Sequence, residues 1–319
     1  MSGLRALFLA SPHPVAASVM RGWLDGGNTI AGLWYPDRQR KGLQNADRRL
    51  GLFAPRWSVA AVCARHQIPV TMVPPMRAWG QRMEAVRQSG ANVLVSAYFM
   101  DIVPPDVIGH FAGKCVNFHP APLPQYRGPT PIEAMIADCS LGDKSCMTLH
   151  VLDKGIDSGA FIAAMPVSLG KDGSLVRHML DLAKAARKLA RTALPDYLEG
   201  HLSCSPQDER LASYFRITPS DLELSSALTS DEAEWRLKTI GRKKYLLISG
   251  LGDIRICAFS HRLSPPAGEK PDVGFFSVDL DLMDARVRVK RRMPWTKHVR
   301  KVSDLWTKIY VKDEDETGK

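Results

Sequence analysis

Several absences narrow this 319-residue sequence before any motif does. No apolar run approaches the roughly 18 residues that a membrane-spanning helix needs, so no such span is expected. The first apolar run, LRALFLA, stops at Ser11-Pro12-His13-Pro14, too early for a secretion signal, and reads instead as a buried strand. The six cysteines (63, 115, 139, 146, 204 and 257) are scattered, without a C-x-x-C pair. Thiols so placed supply neither a disulfide framework nor a structural zinc site. The expectation is a cytoplasmic protein with no metal. The turn after the first strand, Ala10-Ser11-Pro12-His13-Pro14, lacks the G-x-G-x-x-G fingerprint, and no P-loop occurs. Nicotinamide and ATP enzymes of the usual kinds are thereby disfavoured. Internal repeats and low-complexity segments are also missing.

What is present is the balance of a soluble globular protein: 45% hydrophobic and 24% charged residues. The length suits two domains, or one large α/β domain with an appendage. A net charge of +10 favours an anionic partner such as RNA, a nucleotide or a polyglutamylated cofactor. A basic protein without any nucleic-acid role fits the charge equally well.

Short apolar runs alternate with helix-like stretches through the first part. Strands are expected at 4–10, 29–34, 68–73, 91–97 and 115–118, and helices at 14–25, 57–66 and 81–89. That alternation implies a Rossmann-like, doubly wound, mostly parallel α/β sheet, whose ligands sit at the carboxyl ends of the strands. Two more strands, 147–152 and 160–167, flank a turn at 153–159, and one long Ala-rich helix is expected over 175–198. The texture then changes. A capped helix at 232–240 precedes strand-like runs at 244–249, 254–260, 274–279 and 285–289. These suggest a small C-terminal β-rich barrel or half-open sheet. The expected division is a catalytic domain at 1–205, a linker at 206–228, the small domain at 229–312 and an acidic tail at 313–319.

Chemistry concentrates in two blocks, Val116-Asn117-Phe118-His119-Pro120-Ala121-Pro122-Leu123-Pro124-Gln125-Tyr126-Arg127-Gly128 and, from residue 153, Asp153-Lys154-Gly155-Ile156-Asp157-Ser158-Gly159. Asn117 and His119 are two apart at a strand end, so their side chains share a face. Prolines 120, 122 and 124 stiffen the exit. An amide beside an imidazole makes a donor pair suited to an oxyanion. A carboxylate such as Asp157 could orient the imidazole and raise its pKa. That set suits attack of an amine on a carbonyl. A bare N-x-H by itself reads more simply as a proline-rich surface loop, and spacing alone identifies no reaction.

The joint pattern N-x-H-P-x-x-L-P-x-Y-R-G followed by D-x-G-x-D-x-G resembles the signature of the 10-formyltetrahydrofolate-dependent formyltransferase family. Weaker likenesses run through Phe8-Leu9-Ala10-Ser11-Pro12, Tyr35-Pro36-Asp37-Arg38 and Tyr214-Phe215-Arg216-Ile217-Thr218-Pro219. The nearest likeness is to the branch acting on methionyl-tRNA, which carries a small OB-like C-terminal domain. Departures include Ala121-Pro122-Leu123-Pro124, where the family has S-L-L-P, and Gly241-Arg242-Lys243-Lys244-Tyr245 after the small-domain helix. They mark a divergent member.

The resemblance implies catalysis by Asn117, His119 and Asp157, with Asp153 and His150 as alternates. His150 alone reads more simply as a buried strand residue. It also implies a formyl donor, 10-formyltetrahydrofolate, in a pterin pocket near Tyr98, Phe99, Asp153, Gly155 and Ile156. The acceptor expected is the amino group of initiator methionyl-tRNA, and the alternative is a small amine such as a nucleotide-linked amino sugar or a secondary-metabolite precursor. A binder that keeps the fold without catalysis is the third reading. Acceptor contacts are expected from Arg38, Arg40 and Lys41 in a loop at 37–56, from Arg127, and from Arg291 and Arg292 in the strip 286–301, which holds eight Lys/Arg and no acid. Such a strip would equally serve as a charged, solvated sheet edge.

Overall fold

A computed structural model describes residues 3–36, 41–170, 173–215, 223–240, 246–248, 251 and 254–291. These divide into two compact units, and the first comprises Met1–Ile132, Asp143–Ser168 and Val176–Arg216. Its sheet is built from β1 (Arg5–Ala10), β2 (Thr29–Pro36), β3 (Val70–Val73), β4 (Val93–Ala97), β5 (Cys115–His119), β6 (Cys146–Val151) and β7 (Phe161–Pro166). Strand order is β3-β2-β1-β4-β5-β6-β7. The first five strands run parallel, whereas β5–β6 and β6–β7 pair antiparallel. The Rossmann-like, mostly parallel arrangement agrees with the sequence pattern. β1 and β4 are buried along nearly their whole length, as expected for parallel strands covered on both faces.

The helices among the described residues are α1 (Pro14–Asp25), α2 (Lys41–Phe53), α3 (Val59–His66), α4 (Arg82–Ser89), α5 (Pro105–His110), α6 (Pro131–Ala137), α7 (Leu141–Lys144), α8 (Leu175–Arg191), α9 (Ala193–Leu198) and α10 (Ser230–Ile240). α1 has the expected limits. Its His13 cap accepts from the Val15 N–H at 3.2 Å, and Pro14 occupies the first turn, where no backbone donor is missed. At Gly22 a Cβ would lie 2.3 Å from the Arg187 carbonyl, so glycine lets α1 approach α8 closely.

Two expectations need correction. Residues 41–53, expected within a loop, form α2. Two glycines and a polar buried position hid its periodicity. Asp47 is buried because its carboxylate caps α3, accepting from Val59 N at 3.1 Å and Ala60 N at 2.8 Å. The single helix expected over 175–198 is two, α8 and α9, broken at Thr192. Pro195 has no N–H to continue the helical ladder.

The second unit comprises Glu133–Gly142, Leu169–Leu175 and Ile217–Lys319. Its strands are β8 (Glu223–Leu224), β9 (Leu246–Ile248), β10 (Arg255–Ser264), β11 (Asp272–Val273), β12 (Ser277–Asp281) and β13 (Arg286–Arg291). They pair in the order β11-β12-β13-β10-β9-β8, antiparallel except for β8–β9. α10 begins with the expected capping box, in which Thr229 and Glu232 bond reciprocally. Among the described residues no helix is long and apolar enough to cross a membrane.

Candidate active site

The antiparallel edge of the first sheet assembles the polar cluster. Asn117 and His119 lie two apart on β5, and β6 places His150 directly opposite Asn117. Cross-strand partners of an antiparallel pair sit close enough for their side chains to meet. Beyond His119 the chain turns back through the proline run, pinned where Thr148 Oγ1 donates to the Ala121 carbonyl at 2.6 Å. The turn brings the Tyr126 carbonyl to 3.0 Å from His119 Nε2. A carbonyl only accepts, so Nε2 carries the hydrogen. His119 Nδ1 therefore holds the lone pair, and it faces Asp157 Oδ2 at 3.5 Å.

Asp157 arrives on the loop after β6. Asp153 folds that loop on itself, accepting from Gly155 N at 2.9 Å and from Ser158 Oγ at 2.8 Å. Asp157 has φ +52, a left-handed conformation uncommon outside glycine. Gly159 is demanded by space, since a Cβ there would stand 1.9 Å from the Val151 carbonyl oxygen. The Gly128 N–H donates to Asp157 Oδ2 at 2.9 Å.

His150 enters the same cluster. It is fully buried, and its Nδ1 donates to the Val151 carbonyl at 2.8 Å, which leaves Nε2 as an acceptor in the neutral ring. Asn117 Nδ2 donates to that Nε2 at 3.1 Å and to Asp157 Oδ1 at 3.3 Å. Both partners accept, which sets the orientation of the amide. Here the structure differs from the expected donor pair: both Asn117 N–H groups are engaged, and the longer bond, to Asp157, is the one an incoming oxyanion must displace. The signal for His150 was available in its alternation with Thr148, although a buried strand histidine is ordinarily structural.

Burial pushes the Asp157 carboxyl up, but both imidazoles and the Gly128 N–H outweigh it and hold the group well below the usual carboxylate range. Burial likewise pushes the His119 imidazole down. Asp157 and the Tyr126 carbonyl oppose that shift, and His150 adds to it. These shifts favour an ionised carboxylate beside a neutral, buried imidazole, an arrangement able to accept a proton and stabilise the resulting cation.

The remaining expected residues divide. Tyr98 (φ +59) stacks on His13 with ring centroids 3.6 Å apart, at the carboxyl ends of β4 and β1. Phe99 packs against the core beneath that edge, and Ile156 stands exposed on the Asp157 loop. Asp153 and Gly155 shape the loop itself.

Arg127 is corrected as an acceptor contact. Its side chain has no exposed surface, and its guanidinium reaches Glu209 through two bonds (2.7 and 3.0 Å), Gln207 (2.7 Å) and Tyr214 (3.0 Å). Arg291 donates to the Gly274 carbonyl at 2.7 Å. The basic strip is partly neutralised from the neighbouring strand: Arg288 and Arg286 on β13 pair with Asp279 and Asp281, their register partners on β12. Arg38, Arg40, Arg292 and residues 293–301 lie outside the described residues, as does the side chain of Lys41. Among the described residues no group of three or more His, Cys, Asp or Glu is placed to hold a metal ion.

Comparison with known proteins gives a family likeness for the chain around this cluster. The family described as "Formyl transferase" matches residues 59–194, which include every member of the cluster. A methionyl-tRNA formyltransferase of Bdellovibrio bacteriovorus is 28% identical over 255 residues, 78% of this chain and 77% of that protein. One of Nitrosospira multiformis is 29% identical over 237 residues, 73% and 69% of the two chains. Among solved structures, the sugar 3N-formyl transferase WlaRD covers 91% of this chain and 98% of its own, with TM-score 0.62 and 14% identity. An N-formyltransferase from Helicobacter canadensis, solved with folinic acid and dTDP-3-aminofucose, covers 90% and 99%, with TM-score 0.61 and 16% identity. At those identities the likeness is one of fold. Residues 59–194 thus match the formyl transferase family, and the similar proteins that extend over about three-quarters of the chain are methionyl-tRNA formyltransferases.

Proposed function

We propose that the enzyme transfers the formyl group of 10-formyltetrahydrofolate to a primary amine, and that the amine is the amino group of initiator methionyl-tRNA. The cluster of Asn117, His119 and Asp157, closed by contacts of 3.3–3.5 Å, is the observation that carries the chemistry. The methionyl-tRNA formyltransferases similar along three-quarters of this chain support the acceptor.

The donor supplies an activated formyl carbon. The amine nitrogen forms a bond to that carbon while the carbon's bond to the folate nitrogen breaks. An Asn117 N–H leaves Asp157 and donates to the oxygen that gains negative charge. An aimed donor of this kind contributes on the order of 10²–10³ in rate. His119 Nδ1 takes the proton released by the amine and returns it to the departing nitrogen. Asp157 stabilises the imidazolium between those events. His150 holds the second Asn117 N–H, so the amide cannot turn its oxygen toward the developing charge. Tyr98, Phe99 and Ile156 line the proposed donor pocket beside the loop.

A small nucleotide-linked amine is the second reading. The cross-strand pairing of Arg286 and Arg288 favours it, because that pairing leaves less positive charge for tracking phosphates. The test offers purified enzyme 10-formyltetrahydrofolate with charged initiator methionyl-tRNA in one arm and a nucleotide-linked amino sugar in the other. Formyl-methionyl-tRNA as the product supports the first reading, and a formamido sugar alone replaces it with the second. Transfer to neither, or full turnover after His119→Ala, would sink the catalytic assignment.

A further inference from the structure

Asp157 is held from two sides, and only one is the cluster itself. Its backbone carbonyl accepts from Gln207 Nε2 at 2.9 Å, and the carbonyl of Gly159 accepts from the same nitrogen at 2.6 Å. One amide group thus bridges the residue with the left-handed backbone and the glycine two positions on. The orientation of that amide follows from its other end, where Gln207 Oε1 accepts from Arg127 Nη2 at 2.7 Å and Nε at 3.2 Å. Arginine only donates, so the oxygen must face Arg127 and the NH₂ must face the loop.

Arg127 is fixed in turn. Its buried guanidinium is gripped by Glu209, its ring neighbour is Tyr214, and its backbone N–H donates to Ser213 at 2.9 Å. The next residue, Gly128, donates directly to the Asp157 carboxylate. Consecutive residues therefore reach both ends of Asp157: Gly128 the side chain, and Arg127, through Gln207, the backbone. Residues 206–215, expected in a linker, belong to the first unit, and Gln207, Glu209, Ser213 and Tyr214 all lie in that stretch.

We propose that Gln207, oriented by the buried Arg127 guanidinium and its exposed partner Glu209, is a positioning residue for formyl transfer. It clamps the 157–159 backbone and thereby sets the approach of the Asp157 carboxylate to His119 Nδ1. The inference rests on the catalytic reading of Asp157. The simpler alternative is that these bonds only fasten residues 206–215 to the domain.

Gln207→Glu separates the two. The carboxylate keeps, and strengthens, the tie to Arg127, but it turns acceptors toward two carbonyl oxygens and removes both donors to the loop. The expected result is a kcat lower by about 10- to 100-fold, the scale of a small misplacement of a reacting group. The KM for 10-formyltetrahydrofolate and the thermal midpoint should stay close to wild type. In an Asp157→Asn background the same substitution should cost almost nothing further, because residues acting as one unit are not additive. Gln207→Met supplies a readout that needs no acceptor: the ¹⁵N-observed titration of His119 should move downward, in the direction that Asp157→Asn moves it. Wild-type kcat in Gln207→Glu, a full additional loss in the Asp157→Asn background, or an unmoved His119 titration in Gln207→Met overturns the proposal. Unchanged turnover in Asp157→Asn itself would instead defeat the reading of Asp157 beneath it.

Discussion

Two groups of carboxylates in this protein meet cationic or potentially cationic partners, one set across antiparallel strands and the other from a loop, with opposite outcomes. In the small sheet, Asp279 takes two Arg288 nitrogens at 2.6 Å each, and Asp281 takes Arg286 at 2.9 Å. The Arg288 pair is short and bidentate, the Arg286–Asp281 pair rests on one bond, and the Arg288 hydrogen bonds hold the Asp279 carboxyl below its usual range. Arginine does not lose its proton, so nothing in the pair can move. In the first sheet, Asp157 shares longer contacts of 3.3–3.6 Å with one amide and two imidazoles. An imidazole titrates near neutrality when unperturbed, and burial pushes that of His119 down. The same charge type thus serves as a permanent staple in one place and as a proton-handling device in the other. Partner identity and desolvation make the difference.

The strongest challenge to this contrast is His119→Ala. Turnover should fall by about 10²–10⁴, the range for losing a general acid–base group, while the thermal midpoint holds; steady-state kinetics and calorimetry check both. Asp157→Asn comes next, with a loss near 10²-fold and little change in stability. A collapse of the melting transition would move Asp157 to the structural side of the comparison.

Acidification gives a smaller, signed effect. The folded-state pKa of His119 lies below its unfolded value, so the unfolded chain binds the proton first and stability falls as pH drops below the ordinary histidine value of about 6.5. His178, also pushed down by burial, adds to that slope. Denaturant titrations between about pH 7 and pH 5 should show the decline, and His119→Gln should flatten part of it. Asp157 contributes in the other sense. Its depressed pKa gives stability that persists above the unfolded carboxylate value and disappears only under stronger acid. The smallest effect belongs to the staple: Arg288→Ala should shift the melting temperature slightly and leave formyl transfer to a small amine unchanged. A substantial loss with a tRNA acceptor alone would show that this strand also meets RNA.

Much of the first sheet was legible because its strands are short apolar runs between helix-like stretches, and α1 has the limits, 14–25, that the sequence led us to expect. α2 was not, because the residue on its buried face is a carboxylate that answers N–H groups of α3. The two site blocks stood out through their joint resemblance to a known family. His150 was legible only as an alternate, since a buried histidine looks the same in sequence whether it packs or orients a neighbour. Arg127 misled for a related reason: an arginine beside a glycine in a site motif resembles an anion contact until its counter-ion is seen 82 residues away.

Periodicity was enough to determine the doubly wound architecture, because that depends on local pattern, whereas the candidate trio and the class of chemistry rested on the resemblance of two residue blocks to a known family. Tertiary structure alone decided which histidine nitrogen carries the proton, which way the Asn117 amide faces, and that Gln207 reaches the Asp157 loop. Each of these turns on one acceptor or donor brought from a distant stretch of chain, and hydrogen-bond direction is a property of pairs in space, not of residues in order.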